Sequence, residues 1–381
     1  MMKRPRNFRV FFLLGILVLV GVVEIWREHL PSFLRPGLRL NAYVSTADGS
    51  VTVVDLVKLA AVARIPVGMG LSGMREHPNR AEIWGVSSAG GFIWVIHARA
   101  NQVVARIPVG PLPYALDFSA DGSRVYTTSS GTDTVLAIDC QSRSTVGRAR
   151  TGGEPVLARI TPDRKTILVV NRRDGSLGIH DAATLVQRSV VRVIAHPELV
   201  EVLPDSSLAF VLSRTERRIS VVDLSRNVLV TNLELAGIPS DMLLKPDGGE
   251  LFVLSAEAHG LQVINTWTHE VGDYMVLGSG PARGVLSSDG SLLYVADASA
   301  GHIVPVDIAN RRVIRDPGTG REFPIPAGQS PGVMRFDPNE NLLMVVNHGS
   351  GDIAVIRVRT NSLLTMIPVG DRPHDLAIKL F

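Results

Sequence analysis

The sequence predicts an all-β fold: a single closed β-propeller of eight four-stranded blades, preceded by an N-terminal apolar helix. Three observations predict it. Asp55, His97, Asp139, Asp181, Asp223, Asn265 and Asp307 recur at a strict 42-residue step, each closing a short apolar run. A period of about 40–45 residues is the length of one four-stranded blade. Gly and Pro are frequent (35 and 23) and fall between short Val/Ile/Leu runs, as an all-β chain with many turns requires.

The first forty residues differ in character from the rest. Lys3, Arg4, Arg6 and Arg9 precede an uncharged apolar run from Val10 to Val23, and Glu24 ends it. That run matches a signal-peptide core and is short for a span of roughly 20 residues. No small-x-small cleavage site follows, and Ile25 and Trp26 extend the segment toward an interface. Residues 1–26 are therefore expected to form an uncleaved signal-anchor or transmembrane segment, 27–40 a juxtamembrane linker, and 41–381 the propeller. The alternatives are a cleaved signal, which would make the protein secreted, and a buried helix. With the basic residues held inside, the repeats face the extracytoplasmic, periplasmic or cell-surface side. No Cys follows the run, which argues against a lipoprotein anchor.

The third unit, residues 113–153, shows the plan. Pro113 opens a strand, where its missing N–H is tolerated. Asp121-Gly122 is a strong hairpin signal between two alternating runs. Strands at about 124–128 and 134–139 follow, then a turn and the outermost strand, giving four strands labelled a to d from the axis outward. Pro113, Pro155, Pro197, Pro239 and Pro281 keep the period. Pro331 and Pro373 resume it after a Pro- and Gly-rich insertion near Gly318, within 315–324, expected to be a surface loop. The run Ile-Pro-Val-Gly ends strand d at 65–68, 107–110 and 367–370, and Ile-Pro-Ala-Gly at 325–328.

The segments AYVST, RVYTTSSGTDTVLAID, LLYVADASAGHIVPVD and RIPVG resemble the YVTN family of β-propeller repeats, found in exported bacterial and archaeal proteins and in surface-layer proteins. The resemblance covers residues 42–381 and implies the fold, while implying little about activity. Eight b–c–d sets begin at Ala42, Ala81, Ser123, Lys165, Ser207, Gly249, Ser291 and Asn341; seven blades plus an irregular first segment is the alternative. The first unit lacks strand a, and the chain carries an unfollowed strand a at 372–380. Pairing these makes one composite blade and removes an open sheet edge.

Charge excludes one class of partner. The net charge is +3, but residues 1–41 hold seven Lys/Arg against two Asp/Glu, which leaves the repeats at −2. No basic stripe supports nucleic-acid binding. The single Cys140 has no intramolecular disulfide partner and reads as a small buried apolar residue.

Ligands are expected on the face carrying the d–a and b–c connections. His196 and His374 flank starts of strand a, while His259, His302 and His348 fall in b–c turns, with Glu198, Asp241, Arg283 and Asp375 nearby. An imidazole ring at a channel mouth could hold a metal or haem. Separate solvated or structural histidines, or a hydrogen-bonding pocket for an organic ligand, are the competing readings. Arg75, Asp117, Arg159 and Glu201 lie four residues beyond successive strand-a starts with alternating sign. They read as an ionic ladder between blades, or as an ion site in the channel.

Catalytic and haem-attachment signatures are missing: no G-x-S-x-G, P-loop, C-x-x-C, C-x-x-C-H or H-E-x-x-H. The expected function is a membrane-tethered extracytoplasmic binding or scaffold module. Its partners would be envelope or membrane proteins, or a small ligand, on the loop face. A propeller enzyme or metal- or haem-handling protein, and a structural surface or adhesion protein, are the alternatives.

Overall fold

A computed structural model describes residues 39–315 and 324–381. The expected signal-anchor (1–26) and nearly all of the linker lie outside the described residues. Arg39 and Leu40, assigned to that linker from sequence, already belong to the ring: Leu40 opens a strand. Among the described residues no helix is long and apolar enough to cross a membrane.

Eight antiparallel sheets follow one another around an axis, so the seven-blade alternative is excluded. Blade 1 is composite. Its strands b, c and d are Leu40–Ser45, Ser50–Asp55 and Ala60–Pro66, and its inner strand is Asp375–Leu380. The join runs in register from Leu40↔Leu380 to Ser45↔Asp375. Arg39 and Phe381 exchange backbone hydrogen bonds of 2.8 and 3.0 Å beside it. The closing strand starts at Asp375, three residues later than expected.

The inner strands of blades 2 to 8 are Leu71–Glu76, Pro113–Phe118, Pro155–Ile160, Pro197–Val202, Asp241–Leu244, Pro281–Leu286 and Pro331–Phe336. Each neighbours the next around the axis. In blades 2, 3, 4, 5, 7 and 8 the pairing of strand a to strand b shifts register just after the first residue, a bulge that bends the strand start. In blade 7 the insertion splits the outer strand into Arg312–Val313 and Ile325–Pro326, both paired to His302–Asp307.

The periodic acidic residues have a turn-forming role. Asp139 Oδ1 accepts the N–H groups of Gln141 and Ser142 at 3.0 and 2.7 Å, and Asp55, Asp181, Asp223 and Asn265 repeat this two and three residues on. His97 Nδ1 substitutes by accepting from Ala100. Such side-chain turns satisfy backbone donors where the ladder ends. Asp121-Gly122 closes its a–b turn with Gly122 at φ 67°, a conformation costly for most residues with a Cβ.

The core lies between blades, since each sheet packs one face on each neighbour. Trp84, Val86, Ile93 and Val95 of blade 2 meet Leu116, Val125, Leu136 and Ile138 of blade 3, and buried Cys140 belongs to that cluster. Burial pushes its thiol up to about 12, against nucleophilic use. Gly85 has a packing reason, since an added Cβ would sit 2.0 Å from the Trp94 ring.

Candidate functional site

The pleat directs residues two and four places after each repeat proline, or after Leu71 in blade 2, to the axis. At these two registers every blade contributes one charged side chain. Going round the ring they are Asp375, Arg75, Asp117, Arg159, Glu201, Asp241, Arg283 and Arg335. Seven of them line one cavity of about 360 Å³. The eighth, Asp117, lines an adjoining depression with Arg159 and Glu201. Signs alternate over blades 1 to 5, then repeat: Glu201 and Asp241 are like neighbours, as are Arg283 and Arg335.

Three carboxylates serve the exposed inner edge. Asp117 accepts the Ile160 N–H (3.1 Å), Asp241 that of Gly284 (3.0 Å), and Asp375 that of Met74 (2.8 Å). In each case the donor is on the next blade, one residue past the equivalent position. A strand edge at the axis has unpaired N–H groups, and these carboxylates answer them. Asp241 also pairs with Arg283 at 3.2 Å.

The expected four-member ladder resolves into one ion pair, Arg159–Glu201 at 3.4 Å. Glu201 is the main influence on Arg159 and holds its guanidinium above the usual value. Burial dominates at Glu201 and raises its carboxyl, with Arg159 opposing and Asp241 adding to the rise. Arg75, the ladder's first member, makes no ion pair with Asp117; burial and then the Arg335 charge lower its pKa.

The rim adds Arg172 and Arg214, each the first residue of a b–c turn. Glu198 bridges them at 3.5 and 2.8 Å, Glu154 pairs Arg172 at 3.2 Å, and Arg172 stacks over the Tyr114 ring at 5.7 Å. Arg214 Nε also donates to the Ser240 carbonyl at 2.9 Å. Donor capacity remains: Arg159 Nε, Arg172 Nε and Arg214 Nη2 are buried without a partner among the described residues.

The five candidate histidines stand on different blades. His374 lines the cavity, with Nε2 donating to the Leu71 carbonyl (2.7 Å) and Nδ1 3.3 Å from that of Arg372. It latches blade 1 to blade 2. His348 Nδ1 approaches the Pro373 carbonyl at 3.2 Å and latches blade 8 to blade 1. His259 Nδ1 meets the Ser279 carbonyl at 3.0 Å. His196 borders a separate depression with Arg173 and Arg192, and His302 opens strand c of blade 7. Among the described residues no three His, Cys, Asp or Glu side chains are grouped to hold a metal ion.

Sequence reasoning missed Arg335, Arg172 and Arg214, although the period contained them. Arg335 follows Pro331 by four, as Arg159 follows Pro155. Arg172, Arg214 and His348 share one register in the b–c turn with Ser130, whose hydroxyl donates to the Pro155 carbonyl.

These features define an eight-bladed propeller with a charged axial channel open to the loop face. The chain belongs to the YNCE-like β-propeller family, which matches residues 91–292. No curated protein matches it. Among solved structures it is similar to the dihydro-haem d1 dehydrogenase NirN in complex with DHE, with TM-score 0.73 and 16% identity over 88% of this chain and 74% of that one. It is also similar to a protein of unknown function from Desulfotomaculum acetoxidans, with TM-score 0.62 and 15% identity over 79% and 99% of the two chains. Hydrazine synthase from Kuenenia stuttgartiensis gives TM-score 0.59 and 19% identity over 76% and 95%. At such identities the likeness is one of fold.

Proposed function

We propose that the protein is an extracytoplasmic, membrane-tethered binding module, with repeats of the YVTN type, that receives a small ligand or an envelope partner at the loop-face mouth of its channel. The observation carrying this reading is the axial cavity, to which every blade but the third contributes a charged inner-strand residue. A wall built for stability alone would favour apolar packing, since half-buried charges lose hydration. Chain direction supports the orientation. Leu40 enters blade 1 from the a–b side, so the chain meets the ring on the face opposite the mouth.

The test is a thermal-shift screen of the purified full chain against anionic, cationic and neutral small molecules and detergent-solubilised envelope proteins. A saturable stabilisation that is lost on blocking the channel with Ala115→Trp supports the reading. Stabilisation by nothing, together with ordered self-assembly on membranes, favours a structural surface role instead.

A haem-handling reading draws on the likeness to the NirN structure with DHE and on His374 lining the cavity. The imidazole is a poor fit for an axial ligand as it stands, because its Nε2 is engaged by the Leu71 carbonyl. An absorption spectrum of protein mixed with haem separates the readings: a Soret shift abolished by His374→Ala favours haem.

A further inference from the structure

We propose that Arg75 and Arg335 form an oxyanion subsite deep in the channel, built for a small organic dianion of carboxylate or phosphate chemistry. The inference rests on the channel being a ligand site and names the ligand class it takes. The two arginines project from blades 2 and 8 and flank blade 1 from both sides. They are four residues into their strands, hence about 7 Å below the level of Arg283 and Asp375.

Their isolation sets them apart from the other channel arginines. Arg159 has Glu201, Arg283 has Asp241, and Arg172 and Arg214 share Glu198. Among the described residues the side chains of Arg75 and Arg335 have neither an ion pair nor a hydrogen bond, although both line the cavity. The carboxylate between them is already committed: Asp375 Oδ2 accepts from Met74 N–H and Oδ1 from Leu376 N–H, both at 2.8 Å. Below, Arg335 borders a depression with Glu76 and Lys379, and that lysine is held by the His77 carbonyl. Arg335 is close enough for its charge to depress the Arg75 guanidinium, a repulsion that the Asp375 and Asp117 carboxylates oppose from beyond ion-pair distance.

Two guanidiniums without an ion-pair or hydrogen-bond partner, facing one half-buried space, supply planar forks of N–H donors, the group that best matches carboxylate and phosphate oxygens. Across the ring, Glu201 and Asp241 are paired with Arg159 and Arg283, which leaves the arginines of blades 8 and 2 as those without an ion-pair partner. A dianion would satisfy both arginines and remove the repulsion, gaining differential stability for the folded state.

The experiment uses the full chain and the variants Arg75→Gln, Arg335→Gln and the double variant, with Arg188→Gln on the outer edge as control. Succinate, inorganic phosphate and glycerol 3-phosphate are titrated by calorimetry and thermal shift at low and high NaCl. The proposal expects at least one dianion to bind and stabilise the wild type, with salt weakening it. Each single variant loses about tenfold or more in affinity, the double variant loses binding, and the control keeps it. Succinate against the phosphates assigns the chemistry. A second readout needs no ligand: each single variant should melt no lower than the wild type, because a repulsion has been removed. If the double variant fails to fold, Arg335→Gln alone decides by both readouts. Dianion binding unchanged in the variants, or no dianion binding to the wild type, overturns the proposal. Binding of a neutral or cationic ligand in the double variant would leave the channel a ligand site while the dianion assignment falls.

Discussion

On blades 4 and 5 every arginine of the channel wall touches a carboxylate: Arg159 meets Glu201, Arg172 meets Glu154 and Glu198, and Arg214 meets Glu198. On blades 8 and 2 Arg335 and Arg75 meet none among the described residues, and Asp375 between them on blade 1 is spent on backbone donors. A charge that is paired across a blade junction acts as part of the ring. An unpaired charge in the same cavity is a standing electrostatic cost that a ligand can remove. The contrast teaches that composition does not separate structural from receptive charge; partnership does.

Four experiments would break or sharpen that contrast. The largest effect should come from deleting residues 372–381, which removes the inner strand of blade 1 with buried Leu376, Ala377 and Ile378. The expected loss is on the order of the whole folding free energy, about 5–15 kcal/mol, and calorimetry should find no cooperative transition. A normal transition would mean that the unpaired arc does not depend on ring closure.

Next comes a pair of substitutions expected to differ in sign. Glu198→Ala strips the shared partner from Arg172 and Arg214 and should destabilise by about 1–3 kcal/mol in urea unfolding. Arg335→Gln, on the other arc, should leave stability unchanged or slightly higher. Equal losses in the two variants would erase the distinction.

A smaller effect is expected for the Arg159–Glu201 pair, since both side chains are about a third exposed. A double-mutant cycle with Arg159→Gln and Glu201→Gln should return a coupling of about 0.5 kcal/mol. A coupling near zero would recast that arc as unpaired too.

The smallest effect concerns neither arc and serves as a baseline. Hydrogen bonds from Ser119 and Ser123 hold the Asp121 carboxyl down at about 2, and those from Ser287 and Ser291 do the same for Asp289. A carboxyl lowered on folding adds stability above its unfolded pKa of about 4, and that stability is lost as pH falls through the folded value. Unfolding free energy should therefore decline between about pH 4 and pH 2. The decline should be shallower in Asp121→Asn and Asp289→Asn than in the wild type.

Much of the architecture was legible from one chain because it is written eight times. The 42-residue step, the Asp-Gly turns and the unfollowed last strand led to eight blades and the composite closure. The periodic Asp could be seen in sequence, while its task of accepting turn N–H groups depends on local geometry. The site was legible only by register. Asp241, Arg283 and Asp375 line the cavity as grouped, and so does His374, whereas the other four histidines are dispersed around the ring. Which arginine finds a carboxylate depends on side-chain reach across a blade junction. Glu198 reaches two arginines in b–c turns on separate blades, whereas Asp375 turns both oxygens to the backbone. No spacing rule distinguishes those outcomes.

The join between Leu40 and Leu380 also sets how the molecule must fold. Strand pairings within a regular blade close loops of about sixteen residues or fewer, while this pairing closes one of roughly 340. Loop-closure entropy makes that step costlier by about 3 kcal/mol than closing one hairpin. The blades can therefore assemble early as local units, and the final strand pairing becomes the slow, cooperative event. Until it occurs, Leu40–Ser45 of blade 1 and the final strand Asp375–Leu380 present raw edges, so the interval before closure is when the chain is most exposed to misassociation.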